Sequence, residues 1–300
     1  MRVATKMMYD NIKVNLGTIT EQMKNAQDVV TTGKRINKLS DDPVALNSVL
    51  SLRSARANIE QLQENISMGR TWLNTVESAL NGVNDLIVDA KTLCVQMAND
   101  TVGADTRFTA ATTVQNYLEE LKSLANTNVN GRYIFAGSRT DTSPFDFDNS
   151  NGIYNGDDNP FSVKIGKNMN LEVGRDGETV FGANGTAEDI FKTLIDLKTA
   201  LENNDVGGIN GIQVQMARLD NHFDHVNTKI SDTGQKEIRL DIRDAIINDL
   251  DFINTERMSK LEDTDMAAAL VELKEKEIAY QAALTAAGEV MQLNLFDYIA

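Results

Sequence analysis

From about Pro43 to Asn99 the chain carries an apolar or small residue at every third or fourth position. The run is Leu52, Ala55, Ile59, Leu62, Ile66, Gly69, Leu73, Val76, Leu80, Val83, Ile87, Ala90, Cys94 and Met97. Spacing of this kind over many heptads predicts a long helix with a coiled-coil seam. At about 1.5 Å per residue such a helix runs roughly 80 Å. Its start is marked by Asp42, a good N-cap, and by Pro43, which suits the first helical position because its missing N–H has no partner there anyway. A single helix cannot bury that seam, so the rest of the chain must supply partners.

Those partners are expected mostly toward the far end. A shorter helix follows, with Phe108, Ala111, Val114, Leu118, Leu121 and Ala125 on one face. A later one carries Ile190, Leu194, Leu197 and Leu201. A long return helix after Gly211 carries Ile212, Met216, Leu219, Phe223, Val226 and Ile230. Its phase then shifts to Ile238, Ile242, Ala245, Ile246, Leu250 and Ile253, so a stutter or break is expected at Gly234. The middle differs in kind. Residues 131–185 hold nine of the 19 glycines and two of the three prolines. Short alternating runs predict strands at 133–135, 161–165, 171–173 and 179–181, with Asp176-Gly177 as a hairpin turn. The expected fold is mainly α: an elongated antiparallel helical or coiled-coil rod formed by both chain ends, with a small inserted β domain. The expected divisions are 1–44 with 257–300 (terminal helices), 45–135 with 186–256 (rod) and 136–185 (β insertion).

Composition narrows the function classes. The net charge is −15, which argues against nucleic-acid binding. No stretch of about 18 apolar residues suggests a membrane span. The N-terminus shows no hydrophobic signal-peptide core, so export without a cleaved signal, or retention in the cytosol, is expected. The one cysteine, Cys94, falls in the seam and reads as packing. His222 and His225 have a spacing that can hold a metal, but no third ligand supports one and no cofactor is expected. Asp146 to Asp157 loosely resembles a calcium loop. It lacks glycine at the sixth position and glutamate at the twelfth, and reads as an acidic turn. Asn65-Ile66-Ser67 and Asn184-Gly185-Thr186 match a glycosylation pattern that recurs by chance. No phosphate loop, nucleophile elbow or paired-carboxylate cleft is evident, so an enzyme is not expected.

The two ends read as assembly surfaces. Met8, Ile12, Ile19, Met23, Ala26 and Val30 recur at helical spacing near the start. Leu270, Leu273, Tyr280, Leu284, Ala287 and Met291 do so near the finish, and Leu295 and Phe296 lie in an unusually apolar last stretch. Residues 1–40 hold seven Lys/Arg against three acids (+4), and 257–300 hold four against eight (−4). Opposite signs suit two terminal helices that pack together. An intramolecular bundle and burial against neighbouring subunits both explain the apolar faces.

Four segments resemble a known family. Arg2-Val3-Ala4-Thr5-Lys6-Met7-Met8-Tyr9 is similar to the start of the flagellar hook-associated protein 3 family of the flagellin superfamily. The loop from Thr32 to Ala45, Gly131-Arg132-Tyr133-Ile134-Phe135-Ala136-Gly137, and the tail Leu295-Phe296-Asp297-Tyr298-Ile299 are similar to the corresponding family segments. The departures are Ala300, one residue beyond the usual finish, and a middle region that varies among members. The resemblance implies a structural part of the bacterial flagellum, an adapter between hook and filament, exported unfolded through the flagellar type III apparatus. It implies contacts with itself in a ring or short helical zone, with a neighbouring hook-associated protein and with flagellin. It further implies a cytosolic export chaperone that binds the C-terminal helix, at Leu273, Tyr280, Leu284, Met291 and Leu295. A flagellin-type filament subunit and a coiled-coil scaffold or signalling module are the other readings.

Overall fold

The computed structural model describes residues 2–99, 101–146, 153–182, 186 and 188–299, with side chains described from residue 6 to residue 289. Seven helices dominate it: α1 (Arg2–Thr32), α2 (Pro43–Met97), α3 (Ala104–Ala125), α4 (Gly177–Phe181), α5 (Ile190–Glu202), α6 (Ile212–Glu262) and α7 (Met266–Ile299). Three small antiparallel hairpins lie between α3 and α4: β1 (Asn128–Val129) with β2 (Arg132–Tyr133), β3 (Phe145–Asp146) with β4 (Ile153–Tyr154), and β5 (Ser162–Gly166) with β6 (Met169–Glu172). The chain divides into two compact units, residues 1–59 with 249–300, and residues 60–248.

In the larger unit the heptad run of α2 is buried as its spacing requires. Leu73, Val76, Leu80, Val83, Ile87, Ala90 and Cys94 are at most 2% exposed. Val114, Leu118 and Leu121 of α3, Leu194, Leu197 and Leu201 of α5, and Ile212, Leu219 and Val226 of α6 complete that core. Gly82 lets α3 approach α2 closely, because a Cβ there would meet the Leu124 side chain at 3.2 Å. Trp72 is 3% exposed and packs on Phe161 with ring centroids 5.1 Å apart.

Polar pairs at heptad steps set the register between α2 and α6. Gln63 Nε2 donates to Asn248 at 2.7 Å, Arg70 Nη2 to Asp241 at 2.8 Å, and Asn84 Nδ2 to Asn227 at 3.1 Å, and Lys91 pairs with Asp220. Each step of seven up α2 meets a step of seven down α6, as antiparallel helices require. The rung between Arg70 and Asn84 is incomplete: Glu77 sits there, and the matching position on α6 is Gly234.

Several sequence-based expectations need correction. α6 runs through Gly234 without a break. Beyond Ile230 its inward residues are Thr233, Leu240 and Ile247, whereas Ile238, Ile242, Ile246, Leu250 and Ile253 are all exposed. The heptad that begins at Val226 simply continues, and the alternative stripe lies on the opposite face. Residues 179–181 belong to α4 and not to a strand, because the Asp176 carboxylate accepts from Thr179 N at 2.5 Å and caps a helical turn. Phe108 is 62% exposed; its neighbour Arg107 is the buried one. Its guanidinium donates to Met97 O at 2.8 Å and Asn99 O at 2.9 Å, satisfying carbonyls at the end of α2. The tight hairpin turn is Asn130-Gly131, both with positive φ (51° and 80°), as a two-residue primed turn requires.

The hairpin region is tied to the helices by aromatic rings. Phe145 meets Phe181 edge-on at 5.4 Å and packs tilted against Phe191 at 5.2 Å, and Phe135 meets Phe181 edge-on at 5.1 Å. The Tyr154 hydroxyl accepts from Gly177 N at 3.1 Å and lies 3.0 Å from Asp157 O. Burial pushes that phenol up to about 12. Residues 147–152 of the calcium-like stretch, and Asn184-Gly185 of the glycosylation-like pattern, lie outside the described residues.

The empty rung gives a direct test. A Cβ at Gly234 would meet nothing within 4 Å, so there is room for a side chain. Gly234→Lys should raise unfolding free energy by about 1–2 kcal/mol, mainly by removing a mid-helix glycine and in smaller part by pairing with Glu77. Urea denaturation of the purified variant measures the change; a loss of stability would show that the gap is needed.

Candidate assembly surface

α1 and α7 pack on one another in the smaller unit. Gly33 ends α1 with φ +69° while its N–H reaches Val29 O at 2.9 Å, a left-handed C-cap that favours glycine. Asp265 starts α7 by accepting from Ala267 N at 2.9 Å and Ala268 N at 3.3 Å. Lys276 Nζ donates to Gln22 Oε1 across the pair at 3.3 Å.

The residues expected at the assembly surface fall into three groups. Ala26 is buried, and Ile12, Ile19, Met23 and Val30 are half-buried on one stripe of α1. On α7, Ala287 is buried, and Leu273 and Tyr280 are half-buried. These are the stripes along which the two helices cover each other. Met8, Leu270 and Leu284 are exposed at 50%, 49% and 46%. Met291, Leu295 and Phe296 fall where no side chains are described, although α7 itself continues to Ile299.

Sequence reading missed a second apolar stripe. Val271 and Ile278 are 61% and 65% exposed. Each lies two residues before a half-buried residue, Leu273 and Tyr280, and so roughly 200° around the helix from it. α7 is therefore apolar on both sides, a pattern typical of a helix covered on both. α1 differs: Met7 and Val14 are exposed, but Glu21, Asn25 and Asp28 share their side of the helix. The opposite charges of the chain ends meet at the base of the pair, where Lys34 bonds Glu262. Along the helices they pair locally, as Lys274 with Glu277 and Lys38 with Asp28.

Other chemistry is sparse. Among the described residues, no cluster of three or more His, Cys, Asp or Glu is arranged to hold a metal. No described helix is long and apolar enough to cross a membrane. The Cys94 thiol is buried, which raises it to about 12. His222 is 7% exposed, and its Nε2 lies 3.0 Å from Thr193 Oγ1. That hydroxyl already donates to Asp189 O, so the imidazole must be the donor and carries its proton on Nε2. Burial, then His225 and Arg218, lower His222 to about 4. His225 is exposed, its Nε2 2.8 Å from Thr179 O, and Asp176 and Glu178 rim the same hollow.

Comparison with known proteins gives a consistent picture. Residues 3–140 match the family model described as the bacterial flagellin N-terminal helical region. Over 99% of both chains the sequence is 29% identical to flagellar hook-associated protein 3 of Escherichia coli. With the protein of the same name from Salmonella typhimurium it shares 26% identity, again over 99% of both. A flagellin of Listeria monocytogenes is 23% identical over 97% of this chain and 96% of its own. The fold matches the solved structure of a flagellar hook-associated protein from Vibrio parahaemolyticus with a TM-score of 0.68, at 19% identity, over 74% of this chain and all of that one. It also matches the flagellar junction protein of Legionella pneumophila with a TM-score of 0.59, at 16% identity, over 72% of this chain and all of that one.

The histidine pair yields a pH prediction. His222 stays neutral in the fold and protonates below about 6.5 when unfolded, so unfolding takes up a proton between those values. Stability should fall by on the order of 3 kcal/mol as pH drops from about 6.5 toward 4. His222→Gln should flatten that part of the stability profile measured by urea titration; an unchanged slope would remove His222 as its cause.

The full-length likeness to two hook-associated proteins 3, the match of residues 3–140 to the bacterial flagellin N-terminal helical region and the shared fold together make this chain similar to flagellar hook-associated protein 3 over nearly its whole length.

Proposed function

We propose that this chain is a structural component of the bacterial flagellum, an adapter that joins hook to filament by packing its terminal helices against neighbouring subunits. The observation that carries the reading is α7: α1 covers one side of it, while Val271 and Ile278 stand exposed on the other. An exposed apolar stripe on a helix usually marks an interaction surface. The neighbours are further copies in a ring or short helical zone, an adjoining hook-associated protein on one side and flagellin on the other. No enzymatic step belongs to this function, and neither a nucleic acid nor membrane insertion is part of it.

Before assembly the same helix needs protection. An amphipathic helix can lay its apolar stripe in the groove of a partner. A cytosolic export chaperone would take the C-terminal helix in this way, through Leu273, Tyr280, Leu284, Met291 and Leu295, before secretion without a cleaved signal. The flagellin relatives favour a second reading, a filament subunit. The position of the protein on isolated flagella, seen by labelled antibody, separates the two: a band at the hook end supports the adapter, and staining along the filament overturns it.

The outer stripe can be tested by itself. Ile278→Asp places a carboxylate where an assembled neighbour would bury it unpaired, at a cost of several kcal/mol. In the monomer that position is solvent-exposed. The expected outcome is a melting temperature within about two degrees of the parent, loss of filament attachment in a swimming assay, and normal secretion on a blot. Normal swimming would remove the outer stripe from the interface.

A further inference from the structure

The end of α1 and the end of α6 both break within one small patch of the smaller unit, and the two breaks are joined. Arg35 N donates to Glu262 O at 2.7 Å, and Thr264 N donates to Gly33 O at 3.1 Å, forming a two-bond antiparallel bridge around Lys34 and Asp263. Arg35 Nη2 adds a bond to Leu261 O at 3.1 Å. The loop between Gly33 and Asp42 is stiffened from within, since Asp41 Oδ2 accepts from Asn37 N at 3.0 Å and Lys38 N at 2.8 Å. Asp42 caps α2 through Ala45 N at 2.9 Å. Loop and helix starts are thus preformed, and the connection between the two breaks is the weakest part of the patch. A two-stranded pairing this short is marginal unless something else holds it.

Glu262 is what holds it. Its side chain is 3% exposed, and one of its carboxylate oxygens bonds both Lys34 Nζ, from the loop after α1, and Arg53 Nη2, from α2. The two cations are far more open, at 41% and 48%. This makes the cluster asymmetric. A buried carboxylate stripped of its partners is strongly disfavoured, while either cation released to water is readily solvated. The acid therefore cannot remain in place unless both flanking segments come to it.

We propose that Glu262 is a latch for a hinge: the breaks after α1 and α6 form one pivot, and Glu262 closes it by drawing Lys34 and Arg53 onto a single buried carboxylate. With the latch closed, the α1/α7 pair is fixed on the adjoining ends of α2 and α6. With it open, the pair swings on Gly33 and on residues 263–265, the few terminal positions that can absorb the change in φ and ψ. The role is one of conformation within a single chain and holds whichever flagellar position the protein takes.

The loop contains its own probe, because trypsin cuts after Arg35 and Lys38. In the full-length monomer, the double variant Lys34→Met, Arg53→Met leaves Glu262 buried and unpaired. Cleavage after Arg35 and Lys38 should quicken at least tenfold, and the Arg35 and Thr264 amides should exchange faster with deuterium. Cleavage after Lys229 and Lys236 in the larger unit should stay unchanged. Adding Glu262→Gln to the double variant removes the unpaired charge and should return cleavage to within about threefold of the parent. Three results overturn the latch: no acceleration in the double variant, acceleration of equal size in the larger unit, or a triple variant cut as fast as the double.

Discussion

Register between α2 and α6 is the constraint on which the larger unit depends. Their seam alone would discriminate weakly against sliding by a heptad, because one apolar or small residue mostly replaces another at each step. The polar rungs do not allow it. Shifted by seven residues, Arg70 would face Asn248 or Gly234 and no longer Asp241, and Asn84 would lose Asn227. Exposed pairs of this kind add little to stability one by one. Their role is to exclude wrong alignments, as a polar residue in a coiled-coil seam does. Glu237 shows the local imbalance near the empty rung. Its carboxyl is raised by burial and then by Glu77 and Asp241, and Arg70 only partly compensates.

With register fixed, the irregular middle has a defined surface to fold on. Trp72 receives Phe161, Gly69 leaves space for Val173, and Arg175 reaches Asp232 at 2.6 Å and Thr233 Oγ1 at 3.0 Å on α6. The hairpins are too short to be stable alone. β3–β4 is anchored to α4 and α5 through the Phe145 ring, and β5–β6 is held by Phe161 on Trp72 and by Arg243 of α6 on Met169. The smaller unit follows a different rule. Its helices α1 and α7 cover only part of each other, and apolar side chains such as Val271 and Ile278 stay exposed.

Much of this was legible in the sequence, and the failures have physical reasons. The α2 seam was readable because every inward position is apolar or small and none is charged. The Asp42-Pro43 start was readable because capping is local chemistry. The second half of α6 was misread because it is apolar on two faces. Ile238, Ile242 and Ile246 form the denser stripe, yet Leu240 and Ile247, with Thr233, continue the phase set by Val226. A threonine at 0% exposure breaks the apolar pattern that reveals a seam. Arg107 escaped notice because only the fold shows that the carbonyls at the end of α2 need a donor there. On α7 the spacing picked out Leu273, Tyr280 and Ala287 of the inward stripe together with Leu270 and Leu284, which are exposed. The outer one was missed because Val271 and Ile278 are too few to stand out against an apolar background.

Cys94 has a consequence beyond packing. The residue is 1% exposed inside the seam, with the thiolate suppressed by burial. Thiolate is the species that oxidants and disulfides react with, so this cysteine is shielded from oxidation and disulfide exchange in the folded chain. An assembled array of such subunits would hold together by non-covalent packing alone, without adventitious cross-links. A single cysteine placed on the surface would then be the sole reactive thiol of the folded chain and could carry a dye or a spin label with the native residue left in place.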